Sequence, residues 1–320
     1  MNWRSDSTFR SMGSEVRLMI GSPLSAGAGD PGDAAVRERE FVEDYARRLS
    51  RFREDSELTA LNRSPEREVP ASPLLRASVR AAIWAAERSA GLVDPTLLEA
   101  IERVGYTASL DGATPASLWD ALAGAPQRRP ASPNPAARWR EIEIDDERAL
   151  IRRPPGLMID TGGTGKGLAA DAVAHRLRRF SSYVVDCGGD IAIGGLAAGL
   201  EPVPVQVEHP LTREIAGTIP VAGGGIATSG LNIRIWQRED GSFAHHLLSP
   251  ATGEPVWSGV IGATALGANA LEAETLSKIA LLGGPQAARR VLAERGGLIV
   301  REDGDVEWIG TSERLMGVAA

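Results

Sequence analysis

The sequence predicts an α+β fold, a mixed and antiparallel sheet with helices packed on it, and three observations predict it. Apolar residues recur at helical spacing in several separate stretches, over 33–52, 72–91, beyond 160 and over 269–295. Short alternating or wholly apolar runs lie between them. Three such runs, 203–207, 217–221 and 232–236, follow one another with no helix-length segment between, which favours antiparallel pairing. With 320 residues, 43% hydrophobic and 24% charged, the chain can bury a full core. The expected organisation is one domain over 1–320 with an exposed Pro/Ala-rich excursion at about 110–140.

Each element has a local reason. Residues 12–20 alternate like a strand, and 22–32 form a loop rich in Gly, Pro and Ala. A helix is expected from Asp33 to about Phe52, with Val36, Phe41, Val42, Tyr45 and Leu49 on its apolar stripe, ending in the charged run 53–57. Ser72-Pro73 starts the next helix, because serine accepts an orphan N–H and proline is tolerated in a first turn, and Gly91 stops it. Within the Pro-, Ala- and Arg-rich stretch 114–138 only 118–122 suits a helical turn. Strands at 142–144 and 157–160 lead to a glycine loop, which opens a helix through Ala169, Val173, Leu177 and Phe180. Residues 183–187 read as a buried strand, closed by Gly188-Gly189-Asp190 and followed by another. Asn269 caps a helix through Leu282, Gly284-Pro285 starts another to Arg295, and 298–300 with 307–309 form a hairpin around Asp303-Gly304.

Composition excludes several functions. A net charge of −7 opposes a nucleic-acid partner, whose phosphates demand a basic face. The single cysteine, Cys187, rules out an internal disulfide or a Cys-rich metal site, and within its apolar run it reads as a small buried thiol rather than a redox centre. No run of eighteen apolar residues is present, and the first six residues lack a basic start, an apolar core and a lipid-attachment cysteine, so membrane insertion is not expected and the chain reads as cytoplasmic.

The loop from Asp160 to Gly167 packs four glycines around Lys166 between an apolar run and an amphipathic one. Such a loop can hold an anion on its backbone N–H groups, with the lysine adding charge, or can be a structural turn. It matches neither a P-loop, since Gly167 follows Lys166, nor a G-x-G-x-x-G fingerprint, since Leu168 fills the last position.

Several segments in fixed order carry a resemblance: Met12-Gly13-Ser14; Phe52 with 55–62; Val93-Asp94-Pro95-Thr96 with Gly105-Tyr106; Asp160 to Asp171; 187–190; 227–230; 246–253; and 270–274. From Met12 to about Gly283 the chain resembles the ApbE-like FAD:protein FMN transferases. The resemblance implies a T-fold-related architecture and an enzyme that passes the FMN half of FAD to a threonine hydroxyl of an acceptor protein and releases AMP. It implies FAD contacts at Met12, Phe52, Leu92, Val93, Asp94, Asp160, Lys166 and Leu248. His246 falls at the family's histidine, as catalytic base or phosphate contact, with Lys166 beside the phosphates. Asp190 and Ser229, on Gly-flanked turns, orient the site or simply hold those turns.

The resemblance also implies magnesium, held by a backbone carbonyl at Gly163, an acid at 274 and a threonine at 278. This chain has Glu274 and Lys278 there. Glutamate can ligate, whereas an ammonium has no lone pair. Three readings follow: Mg²⁺ bound through Glu274 with altered partners such as the Ser277 hydroxyl, the Lys278 ammonium standing in for the metal, or lost catalysis. Four apart on a helix, Glu274 and Lys278 also suit an ordinary ion pair. Alternatives to transfer are a FAD pyrophosphatase giving FMN and AMP, and a non-catalytic FAD-binding module.

Overall fold

A two-residue turn at the start of the chain sets the edge of the main sheet. The computed structural model describes residues 3–195 and 201–310. Its first strands, β1 (Ser5–Ser11) and β2 (Ser14–Ile20), pair antiparallel across Met12 and Gly13. Both turn residues have positive φ, 53° and 67°, the geometry that lets so tight a turn follow the strands' twist. The strand expected over 12–20 therefore begins at Ser14, and Met12 belongs to the turn. Strand β1 went unread because its only buried residue is Phe9.

Helix α1 (Pro31–Leu49) starts ahead of the expected boundary, since Asp30 accepts from the N–H groups of Gly32 and Asp33 at 2.8 and 3.2 Å. Val36, placed on the apolar stripe by its spacing, is instead 57% exposed. The charged run after α1 hides the cap of α2 (Glu57–Arg63), where Ser56 accepts from Thr59 N–H at 3.0 Å. Strand β3 (Glu68–Pro70) precedes α3 (Pro73–Arg88), which Ser72 caps through Leu75 N–H at 3.2 Å. At its end Gly91, with φ of 85°, donates to Ala86 O. Helices α4 (Leu98–Arg103) and α5 (Leu118–Gly124) follow. Then β4 (Glu143–Asp145) and β5 (Leu150–Arg152) join β3 in a small sheet ordered β3-β5-β4.

Residues 157–160, expected as a strand, form no ladder. The Asn62 side chain takes both polar backbone groups of Ile159, each at 2.8 Å, and Asp160 N–H goes to Pro95 O. A side-chain amide thus replaces a neighbouring strand. Beyond lie α6 (Gly165–Arg176), β6 (Tyr183–Cys187), β7 (Asp190–Gly194), and a separate pair, β8 (Val203–Glu208) with β9 (Ile215–Val221). Strand β10 (Gly224–Gly230) precedes a second short pair, β11 (Ile235–Gln237) with β12 (Phe243–His245). The chain closes with β13 (Val260–Gly267), α7 (Ala270–Leu292), β14 (Gly297–Arg301) and β15 (Val306–Ile309). Helix α7 breaks at Gly284, φ 73°, ahead of Pro285, as that dipeptide signals.

The main sheet runs β1-β2-β6-β7-β10-β13-β14-β15, antiparallel at each of these pairings. Strands β10 and β13 occupy its middle, yet their small residues gave no strand signal. The reason is α7, which lies directly on them. A Cβ at Gly225 would stand 2.2 Å from the backbone of Asn269, and one at Gly267 2.5 Å from Ala273 N. Cys187 is fully buried in β6, and burial raises its thiol well above the ordinary range. No helix among the described residues is long and apolar enough to cross a membrane.

Candidate active site

The site grows from the contact between the starts of α6 and α7. Asp171, in the second turn of α6, accepts from the first N–H groups of α7, Ala270 at 2.8 Å and Leu271 at 2.9 Å, while Asn269 accepts from Glu272 N–H at 2.8 Å. This pulls the two helix ends together. Gly167 permits it, because a Cβ there would sit 2.8 Å from both Ala270 O and Glu274 Oε2. The Gly167 N–H donates to Glu274 Oε2 at 2.9 Å. One glycine of the loop thus serves helix packing, and its N–H belongs to a carboxylate rather than to an anion.

Two lysines face this junction. Lys278 Nζ donates to Glu274 Oε1 at 2.9 Å; Glu274 is 0% exposed and Lys278 13%. Both carboxylate oxygens of Glu274 are therefore engaged. Lys166 forms an ion pair with Asp190 and reaches Gly188 O at 3.3 Å, with Lys166 17% exposed and Asp190 2%. Burial alone would lower the Lys166 pKa, but the charges of Asp190 and Glu274 outweigh it and raise it, so the ammonium stays charged. Burial likewise raises the Glu274 carboxyl, against the pull of Lys278 and Lys166. Ser277 Oγ is committed too, to Ser229 Oγ at 2.8 Å and Glu274 O at 3.0 Å.

Other elements complete the walls. Past β12, His246 Nδ1 lies 3.4 Å from Arg234 O, which makes Nδ1 the protonated nitrogen of that contact and leaves Nε2 with the free lone pair. Burial, then the charges of Arg234, His245 and Lys278, hold its pKa well below the usual value, so the ring is neutral at pH 7. Asp94 accepts from Thr96 N–H and Oγ1 at 2.8 and 2.6 Å through Oδ1, while its buried Oδ2 has no partner. An orphaned acceptor of this kind costs about 1–3 kcal/mol, and burial raises its carboxyl accordingly. After α1, the Arg51 guanidinium lies 4.1 Å over Phe52 and 4.6 Å over Tyr106, and 3.5 Å from Asp160.

The residues expected at the FAD and metal positions, Met12, Phe52, Leu92, Val93, Asp94, Asp160, Gly163, Lys166, His246, Leu248, Glu274 and Lys278, line one cavity of about 1040 Å³. Ser229 lines it too, while Asp190 stands behind Lys166. Sequence reasoning missed the arginines of this cavity, Arg51 and Arg234 among them. Arg234 was legible as a charge between Ile233 and Ile235 in an otherwise apolar run; Arg51 sat unremarked beside Phe52.

Such a pocket suits a large ligand that carries both flat rings and negative charge: it lies at the top of the usual ~300–1,000 Å³ range for small-molecule sites and joins apolar walls to half-buried cations. The ApbE family pattern matches residues 12–300, and the chain belongs to that family. It is similar to an FAD:protein FMN transferase of Klebsiella pneumoniae, 29% identical over 181 residues, 54% of this chain and 51% of that one. A Vibrio cholerae protein of the same name is 27% identical over 242 residues, 74% of this chain and 69% of that one. The match thus spans about half the length of the Klebsiella relative. In fold the chain is similar to the crystal structure of an ApbE protein from Thermotoga maritima, with a TM-score of 0.77 and 24% identity over 97% of this chain and 98% of that one.

Proposed function

We propose that this protein is an FAD:protein FMN transferase, moving FMN from FAD to a threonine of an acceptor protein. One observation carries the reading: a single cavity sets a neutral, half-buried imidazole, His246, among the cations Lys166, Lys278 and Arg234. In the reaction the threonine Oγ bonds to the FMN-side phosphorus while the bond from that phosphorus to the bridging oxygen breaks. AMP leaves with that oxygen, and the hydroxyl proton passes to His246 Nε2. A loose phosphoryl transition state asks little of the base and much of positioning and charge, which suits an imidazole of lowered pKa beside three cations. Phe52, Leu92, Val93 and Leu248 offer apolar surface to the rings, and the unpaired Oδ2 of Asp94 has the lone pairs to accept from a ring amino or imide N–H.

The residues at the position of the expected magnesium do not fit that ion. Glu274 has both oxygens bonded, Ser277 is committed elsewhere, and the third group is an ammonium. No cluster of three His, Cys, Asp or Glu with metal-holding geometry occurs among the described residues.

The test is incubation with FAD and a threonine-bearing acceptor, reading AMP by chromatography and flavin fluorescence on the acceptor in a denaturing gel. Transfer gives both signals. AMP with free FMN and an unlabelled acceptor makes water the nucleophile and the protein a pyrophosphatase, and intact bound FAD makes it a flavin-binding module.

A further inference from the structure

We propose that Lys278 is a built-in replacement for a divalent cation, so that this protein binds and cleaves FAD without metal. The inference rests on reading the cavity as the site of the FAD diphosphate and adds what neutralises it.

The geometry puts the ammonium where an ion would have to sit. Lys278 projects one helical turn beyond Glu274 and is held on its Oε1 at 2.9 Å. Its Cε lies 4.0 Å from the point where a Cβ of Gly163 would stand, so the side chain reaches across from α7 to the glycine loop. The space between the acid and that loop is filled by a tethered cation. The remaining carboxylate oxygen accepts from Gly167 N–H, so a metal at Oε1 would have to displace the lysine and one at Oε2 would compete with a backbone bond of a wholly buried group.

Charge bookkeeping supports the same conclusion. Around the junction of α6 and α7 three cations, Lys166, Lys278 and Arg234, face two acids, Asp190 and Glu274. Transfer converts the FAD diphosphate dianion and a neutral hydroxyl into a phosphodiester monoanion, an AMP dianion and a proton. Negative charge therefore grows on the departing AMP oxygen, and an ammonium already in place can stabilise it without binding or releasing an ion. A lysine also brings three donors, of which Glu274 takes one.

The experiment compares the whole protein in EDTA and in millimolar Mg²⁺, measuring FAD affinity by calorimetry and AMP release with acceptor present. Affinity and rate should be equal in the two buffers. Binding tightened by Mg²⁺, or release abolished by EDTA, overturns the proposal and leaves the transferase reading intact. Absence of FAD binding in both buffers overturns the two together.

Lys278→Met should weaken FAD binding about ten- to a hundredfold in either buffer, the usual loss for one charge-assisted bond, and Lys278→Arg should retain most of it. Because Lys278→Met strands a buried carboxylate, the double variant Glu274→Gln/Lys278→Met, which keeps an acceptor for Gly167 N–H, is measured beside it. Wild-type affinity in that double variant overturns the proposal. Lys278→Thr removes the resident cation and should make FAD binding respond to Mg²⁺; an unresponsive Lys278→Thr with wild-type affinity also overturns it.

Discussion

Replacing Lys166 by Met removes one ammonium and little volume, and it separates the two tasks of that lysine. In the folded protein Lys166 is the side-chain partner of Asp190, whose carboxylate is 2% exposed. Truncating one half of a buried pair strands the other half and costs about 3–5 kcal/mol. Unfolding entropy of about 2.1 cal/mol/K per residue, over 320 residues, comes to about 0.7 kcal/mol per degree. The melting temperature should therefore fall by about 4–7 °C. Lys166→Met/Asp190→Leu removes the stranded charge as well, and most of the lost temperature should return. Affinity for FAD should not return, because the ammonium that faces the cavity is still missing; about tenfold weaker binding is expected. Thermal unfolding and quenching of FAD fluorescence measure the two quantities on the same samples. A double variant that regains both stability and affinity would make Lys166 purely structural and refute the reasoning, as would a single variant that melts with the wild type.

Two further outcomes follow from burial. Gly225→Ala should cost about 3 kcal/mol or more, since its Cβ would stand 2.2 Å from the Asn269 backbone; Gly27→Ala, whose nearest neighbour is 4.0 Å away, should change stability by no more than about 0.5 kcal/mol, and equal melting temperatures for the two would contradict the packing of α7 on β10. His245 is wholly buried and its pKa is pushed down to about 3. The unfolded chain, with an ordinary value near 6.5, takes up the proton first, so the stability owed to this ring is complete above about pH 6.5 and is lost as pH falls from there toward about 3. Its share of the slope is about 1.4 kcal/mol per pH unit, and urea unfolding of wild type and His245→Gln between pH 7 and pH 4 should give curves that diverge by that amount; parallel curves would count against it.

Helix starts were legible because a cap is a contact between neighbours. Ser72 and Asn269 each bond an N–H three residues ahead, and both were read correctly from sequence. Ser56 makes the same bond, but it sits in a run dense with charge that reads as loop. The strand at 157–160 was misread for the opposite reason: its apolar residues are buried as a strand's would be, yet their backbone partner is the Asn62 side chain, 97 residues earlier. The site residues were legible as motifs in order, each short and individually weak. Their common cavity was not, nor was Arg234, whose importance lies in facing Lys166 and His246 rather than in its neighbours along the chain.

By itself the amino-acid order determined the α+β class, the caps at Ser72 and Asn269, the break at Gly284-Pro285 and the family motifs, all of which depend on residues within a few positions of one another or on side-chain type alone. Only the tertiary structure decided that the glycine-rich 224–230 is a central strand, because its identity comes from a helix lying on it. It alone decided that both oxygens of Glu274 are taken, one by a lysine four residues away and the other by the N–H of Gly167, 107 residues earlier. Spacing along a helix shows the first contact as possible; the second exists only because folding closes that loop and buries the acid between two helix ends.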